Sequence, residues 1–277
     1  MRVRDNSLSM FIQNQYTRTN NALSRVMKQL ASGCRINSAA DDPAGLAISE
    51  KMRAQIRGLN AAKRNVQTAV NLVQTAEGYM DSAHAILQRM GEIAVQAASD
   101  TNDSGIDRKA LNQEFEQFKE ELTDIFENAE FNGIRLFSGQ YGRENGGLVI
   151  QSGPLEGHTT PVFLEEMSLQ TLGLEAMNVF TRDRAAASIT ALRAAVNKVS
   201  AQRGSLGGMQ NRLEFKIQNL ENQAVNLSEA ESRIRDVDIA QAMTEAARLF
   251  IQQQVILAVM AQCNTMAKNV LTLLSGL

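Results

Sequence analysis

Tryptophan is missing from this chain of 277 residues, and aromatic residues make up only 5% of it. A sheet sandwich built on large flat side chains is therefore disfavoured, and Ala, Leu, Val, Ile and Met must fill any core. Proline occurs three times in all, which leaves room for long uninterrupted helices. The two cysteines, Cys34 and Cys263, are too few for a disulfide framework. Charge of one sign is scarce as well. Lys and Arg number 28 against 30 Asp and Glu, a formal charge of −2, and no long run of either sign appears. A nucleic-acid binder would carry a basic stripe, so no nucleic-acid partner is expected. Long hydrophobic runs are also lacking. The longest wholly apolar one, Val255 to Ala261, falls far short of a bilayer span, and no membrane insertion is expected. Asp5-Asn6-Ser7 and Gln13-Asn14-Gln15 interrupt any apolar region after Arg2 and Arg4, which argues against a cleaved signal.

Residues for catalysis are equally sparse. The only histidines are His84 and His158, and the chain has no HExxH, CxxC, phosphate-loop or dinucleotide-fingerprint spacing. Cys263 falls on an apolar helical stripe, where a cysteine serves as a small hydrophobe. The acidic clusters sit at solvent-facing helical spacing and form no desolvated pair. The expectation is a non-enzyme with no cofactor or metal.

What the chain does have is helical periodicity, interrupted at Ser32 to Ser49. Gly33 suits the left-handed position that ends a helix. Asp42-Pro43 suits a start: the carboxylate can accept from first-turn amides, and Pro43 lacks the amide that would go unpaired there. Residues 34–42 read as a connector. Before it, residues 1–33 form an amphipathic helix whose charge is mostly basic, on a solvated face or toward an acidic partner. After it, a helix runs from Pro43 to about Ser99, roughly 85 Å at 1.5 Å per residue. Its seam is Leu59, Ala62, Val66, Ala69, Val73, Ala76, Met80, Ala83, Leu87 and Met90, alternating by three and four in the manner of a coiled coil.

A further helix follows to about Ala129, with Leu111, Phe115, Phe118, Leu122, Ile125 and Ala129 on one stripe and Glu114, Glu116, Glu120, Glu121, Asp124 and Glu127 on a solvated outer face. Asn132-Gly133 signals a hairpin. Residues 138–180, punctuated by glycines and prolines, predict short strands such as Leu148–Ile150 and Val162–Leu164. Helix resumes at about Arg182, with the seam Ile189, Leu192, Val196, Val199, Arg203, Leu206, Gln210, Leu213, Ile217, Leu220, Ala224 and Leu227. Polar residues around Leu227 to Arg235 mirror the first connector. A last helix runs from about Val237 to Leu274, its stripe starting at Ile239, Ala242 and Ala246. Pairing the two terminal helices buries one face of each, so other copies of the chain are expected to cover the remainder.

The fold class expected is mainly α: an antiparallel coiled-coil or long helical bundle with paired terminal helices and a small β-rich tip. The expected division is residues 1–33 with 236–277, a connector at 34–42, and a bundle at 43–235 that includes the tip at 131–180.

The segments Leu30 to Gly78, Phe131 to Gly139 (FNGIRLFSG) and Asn211 to Met243 together closely resemble bacterial flagellin, over nearly the whole chain. The resemblance implies a filament subunit for motility, with terminal helices lining the tube, the bundle forming the outer wall and the tip facing the medium. Ser32, Gly33, Arg35, Ile36, Asn37, Asp41, Asp42 and Pro43 would form the joint between tube and wall. Export unfolded through the flagellar type III apparatus is implied, to an extracellular or periplasmic flagellum. So are an export chaperone on about Val237 to Leu277 and contact with filament cap and hook-associated proteins. Gln88, Arg89, Ile93 and Glu114 match positions read by the flagellin-sensing Toll-like receptor, with Gly91 and Ile93 departing from the commoner Arg and Leu. Val270, Leu271, Leu273 and Leu274 resemble the C-terminal end that serves assembly and cytosolic sensing. Cys34 stands where the family usually has Tyr or Leu. With antiparallel terminal helices it should lie opposite about Met243, some 30 Å from Cys263, so no internal disulfide is expected. A hook–filament junction protein shares the terminal helices and the joint and is the alternative. An enzyme on the same scaffold would need a large central insert, which is lacking. A generic coiled-coil adaptor would assemble without its termini.

Overall fold

The computed structural model describes residues 7–99 and 106–275, with side chains described to residue 266. Among these residues are six α-helices: α1 (Ser7–Ser32), α2 (Pro43–Ala97), α3 (Asp107–Glu127), α4 (Leu169–Leu172), α5 (Arg182–Arg235) and α6 (Ile239–Ser275). The strands are short: β1 (Glu130–Phe131), β2 (Ile134–Arg135), β3 (Leu148–Gln151) and β4 (Thr159–Val162). They form two separate antiparallel pairs, β1 with β2 and β3 with β4. The fold is mainly α, as the periodicity predicts. The chain divides into two compact units, Met1–Ala54 with Asn226–Leu277, and Gln55–Val225.

The contiguous unit is organised around α2. All ten residues of its expected seam, Leu59 through Met90, are no more than 2% exposed. Alanines at 62, 69, 76 and 83 alternate with larger residues, so each alanine layer admits a neighbouring helix closely. Val70, Leu72, Ile93, Ala94 and Ala97 are buried too, which makes the covered surface wider than a two-stranded seam. Salt bridges Lys63–Glu221 at 2.5 Å and Arg203–Asp81 at 2.9 Å align α2 antiparallel to α5.

The expected stripe on α5 is right at every second position only. Leu192, Val199, Leu206, Leu213 and Leu220 are buried, but the other buried residues are Ala185 and Ser188 before them and Ala195 and Gln202 among them. Ile189, Val196, Arg203 and Gln210 lie at the edge instead. Two frames of a three-four repeat share half their members. The sequence favours the frame with larger apolar residues, whereas close packing selects the smaller ones. Gln202 is 7% exposed, and its Nε2 is buried with no hydrogen-bond partner among the described residues. An orphaned amide of this kind costs about 1–3 kcal/mol.

On α3 the buried residues are Arg108, Phe115, Leu122 and Phe126, while Leu111, Phe118 and Ile125 are half-buried. Arg108 occupies a core position because it closes the end of α2. Its Nε donates to the Ala97 carbonyl at 3.0 Å and its Nη2 to the Ser99 carbonyl at 2.9 Å. A cation on carbonyls at the negative end of the helix satisfies groups that the helix itself cannot. Lys119 fastens α3 to the segment before α5, donating to the carbonyls of Glu175 (3.0 Å) and Met177 (3.2 Å).

Asn132 and Gly133, with φ of 52° and 78°, make the two-residue turn joining β1 and β2. The ring of Phe126 meets that of Phe137 edge to face, 5.9 Å apart. Strand β4 begins earlier than expected, at Thr159 rather than Val162, and it contains Pro161, paired with Val149. In a two-stranded sheet both strands are edges, so a proline can face outward without breaking a ladder. The second connector also differs. Helix α5 continues through residues 227–235, and only Asp236 to Asp238 separate it from α6.

Arg108→Ala is expected to lower the stability of the chain by about 1–3 kcal/mol, by removing a charged donor from the Ala97 and Ser99 carbonyls. Urea unfolding followed by circular dichroism measures this, and Arg108→Lys should recover only part of the loss.

Candidate assembly site

The discontinuous unit is built where the chain crosses itself between α1 and α6. Helix α1 stops at Gly33, whose φ of 70° is the left-handed conformation that a residue without Cβ adopts cheaply. Its carbonyl accepts from the Val237 amide at 3.0 Å. Cys34 bridges Asp236 in antiparallel fashion, and the Arg35 amide donates to the Arg235 carbonyl at 2.6 Å. The register differs from the expected one: Cys34 lies opposite Asp236, not near Met243, because both chains are tied at the helix ends rather than midway along them. Higher up, Gln253 Nε2 donates to Asn20 Oδ1 at 3.1 Å.

Side chains reinforce the crossing. Arg35 Nη2 donates to the Ile234 carbonyl at 2.6 Å, and Gln29 Nε2 to the Arg35 carbonyl at 2.8 Å. Arg235 pairs with Glu50 at 2.8 Å, a hydrogen bond that pushes its guanidinium above its ordinary value. Ser32 Oγ accepts from the Cys34 amide at 3.2 Å. Asp236 accepts from Ser232 Oγ at 2.6 Å, and Asp238 caps α6 through the amides of Ala240 and Gln241.

The connector is folded around Asp41. Its carboxylate accepts from the Asn37 and Ser38 amides at 3.2 and 3.1 Å and pairs with Arg25 at 3.0 Å. The Ser38 amide contributes most to holding this carboxyl below its ordinary value of 3.8, opposed by desolvation and aided by Asn37 and Arg25. Asp42 caps α2 as expected, accepting from the Gly45 amide at 2.9 Å, and Pro43 is its first residue. Ile36 is 1% exposed. A Cβ on Gly45 would meet the Asp42 carboxylate and come within 2.8 Å of Ile36 Cδ1, so the first turn of α2 is open to Ile36 only because residue 45 is glycine. Sequence reasoning missed Gly45, although a glycine in the first turn of a long helix is the available signal. Hydrogen bonds thus tie Ser32, Gly33, Arg35, Asn37, Asp41 and Asp42 into one folded connector, with Ile36 buried and Pro43 opening α2.

Along the two helices, Ile12 on α1 and Ala242, Ala246 and Leu249 on α6 are buried, whereas Ile239, expected on the same stripe, is 51% exposed. The outer faces remain uncovered. Phe11, Phe250, Ile251 and Val255 are each at least 52% exposed, and Leu257 and Val259 nearly half exposed. From Ile239 to Met266 the only charged residues are Glu245 and Arg248, which pair with each other. Val270, Leu271, Leu273 and Leu274 fall within the span of α6 but outside the residues with described side chains.

Of the four residues matching the receptor positions, Gln88 and Arg89 are exposed and Glu114 half-buried. Arg89 joins Glu92 at 2.8 Å and Glu114 at 3.2 Å. Gln88 Nε2 lies 3.0 Å from His84 Nε2. Ile93 is not with them at the surface: it is 1% exposed, on the covered face of α2.

This arrangement leaves apolar surface on both terminal helices uncovered. Comparison with known proteins supplies the class. A family model described as the bacterial flagellin N-terminal helical region matches residues 3–142, and one described as the bacterial flagellin C-terminal helical region matches residues 189–274. The flagellin of Halalkalibacterium halodurans is 44% identical over 252 residues, covering 90% of this chain and 91% of that protein. The crystal structure of Bacillus cereus flagellin superposes with a TM-score of 0.50 at 30% identity, over 61% of this chain and 94% of that one. A putative flagellar hook-associated protein from Vibrio parahaemolyticus superposes at 0.59 with 16% identity, over 71% of this chain and 100% of that one, a likeness of fold alone. The chain belongs to the bacterial flagellin family. As a flagellin it is a subunit of the flagellar filament that serves motility, a structural protein and not an enzyme.

Gly45→Val is expected to destabilise the joint by about 1–3 kcal/mol through overpacking against Ile36, read as earlier proteolysis between α1 and α2. The Asp41 carboxyl, lowered from 3.8, stabilises the folded joint fully above that value and ceases to do so as pH falls through the lowered one. Thermal unfolding of the intact chain should therefore exceed that of Asp41→Asn at neutral pH. The two should converge only as pH falls below 3.8 and through the lowered value.

Proposed function

We propose that this chain polymerises through its discontinuous unit, with α1 and α6 forming the inner tube of the filament. In this reading residues 1–33 and 236–277 make the tube, residues 34–42 the joint, and residues 43–235 the outer wall, with 131–180 facing the medium. The observation that carries it is the uncovered face of α6, where Ile251 and Val255 are 60% and 56% exposed on a nearly uncharged helix. Contiguous exposed apolar surface of this kind is removed from water by association, and a surface repeated on every copy gives a helical polymer if the contact does not close on itself.

Family membership supports the remaining parts of the proposal. The subunit leaves the cell unfolded through the flagellar type III apparatus and becomes part of an extracellular flagellum. An export chaperone covers about Val237 to Leu277 beforehand, and filament cap and hook-associated proteins meet the ends of the polymer. Val270, Leu271, Leu273 and Leu274 complete the tube contacts. Gln88, Arg89 and Glu114 face a host Toll-like receptor, while Ile93 acts only by anchoring the covered face of α2 in the core.

Negative-stain electron microscopy of seeded protein tests the central claim. The intact chain should give long filaments, and the double variant Ile251→Asp, Val255→Asp should keep its helix content yet give none. Soluble monomers from the seeded intact chain would instead favour a hook–filament junction protein, which needs a different neighbour.

A further inference from the structure

Two Asn-Gly pairs occur in the chain, Asn132-Gly133 and Asn145-Gly146, and no Asp-Gly pair. Both asparagines are exposed, so access to water does not separate them. Their hydrogen bonds do. Asn145 Nδ2 donates to the Gly139 carbonyl at 2.9 Å, and the Gly146 amide donates to the Arg143 carbonyl at 3.4 Å. Among the described residues, neither the Asn132 side chain nor the Gly133 amide has a hydrogen-bond partner.

The turn that carries Asn132 is held by little. Strands β1 and β2 pair at two positions, Glu130 with Arg135 and Phe131 with Ile134. One further bond, from the Leu136 amide to the Ala129 carbonyl at 2.9 Å, closes the base. Asn132 is the one residue other than glycine with positive φ among those described, at 52°, a conformation that L-residues occupy at a cost. Gly133 has no Cβ, and nothing lies within 4 Å of where one would stand. The nitrogen that follows Asn132 is thus unhindered and unpaired. Short ladders open locally at low free energy, which lets Asn132 leave the left-handed conformation and bring its Cγ over that nitrogen.

We propose that Asn132 is a site of spontaneous deamidation, with water as the co-reactant. The Gly133 nitrogen attacks Asn132 Cγ. A C–N bond to the backbone forms, the Cγ–Nδ2 bond breaks, and ammonia leaves with the proton of the backbone amide. Water then opens the cyclic imide. Attack at Cγ gives aspartate, and attack at the main-chain carbonyl gives isoaspartate, in which the chain runs through Cβ and Cγ. In sum one water is consumed and one ammonia released, with no change of oxidation state. Asn145 is held back from the same reaction because both groups that must meet are engaged elsewhere. Isoaspartate adds a carbon to the main chain, and a two-residue turn has no slack for it, so the register of β1 with β2 is lost. The reaction belongs to a single chain and is independent of the filament reading.

The test is peptide mapping by mass spectrometry after the full-length chain is incubated in mildly alkaline buffer, with methyl incorporation by an isoaspartyl methyltransferase as a second readout. Asn145-Gly146 must give up two hydrogen bonds that Asn132-Gly133 lacks, so conversion at Asn132 should be about tenfold faster or more. In urea sufficient to unfold the chain, the two rates should come together. Methyl incorporation should rise with time and fall sharply in Asn132→Gln. Should that variant fail to fold, the comparison of the two asparagines within the unchanged chain decides alone. Equal conversion at the two sites in the folded chain overturns the proposal, as does faster conversion at Asn145. A difference that persists unchanged in urea overturns it too, because it then comes from neighbouring residues and not from the fold. Acid at position 132 without isoaspartate excludes the imide route and overturns it as well.

Discussion

Two backbone hydrogen bonds at the chain crossing hold the terminal unit in register: the Val237 amide to the Gly33 carbonyl and the Arg35 amide to the Arg235 carbonyl. Main-chain groups left free where helices end need partners, and here each chain segment supplies what the other lacks. Because the bridge between Cys34 and Asp236 is made by backbone, it does not demand a particular side chain at position 34, and a cysteine serves there. The side chains that do matter, Arg35, Asp41, Arg235 and Glu50, lock a geometry that the backbone has already set.

The contiguous unit obeys a different constraint. Its core is a column of alternating large and small residues on α2, and the alanine layers fix how near its neighbours come. Helix α5 answers with Ala185, Ser188 and Ala195 facing inward, and charged residues such as Arg203 are moved to the rim, where they reach Asp81 and Glu77. Helix α2 ends under the guanidinium of Arg108, a buried cation with its donors on the Ala97 and Ser99 carbonyls. Arg108 thus has a visible duty in this interior, whereas the buried Gln202 Nε2 has no partner among the described residues.

Much of this was legible in residues. The α2 seam, the stop at Gly33, the start at Asp42-Pro43 and the turn at Asn132-Gly133 follow from local chemistry that no tertiary contact overrides. The failures have one origin. Periodicity says that a helix has a buried face but does not say which of two overlapping frames it is, and on α5 the frame was settled by the closeness of a neighbour. The same applies to Phe126, which is buried where Ile125 was expected, and to the pairing of Cys34 with Asp236, which depends on where two helices end. Asp236 to Asp238 make so short a second connector because a polar helix surface at residues 227–235 reads like a loop. In the connector, the helix stop and start were legible in sequence, whereas the space that Gly45 leaves for Ile36 was not.

The crossing also imposes an order in time. Arg35 and Ile234, which meet there, are 199 residues apart in the chain, whereas the unit Gln55–Val225 is one uninterrupted stretch. Closing so long a loop before its interior is compact carries the full entropic cost of the open chain, and a lone helix such as α1 is marginal until it finds a partner. A chain emerging from its N-terminus therefore completes its middle first and holds α1 in waiting. The last helix to arrive acts as the timer: the surface of the paired terminal helices comes into being only when the whole chain is present, so a truncated subunit never displays it.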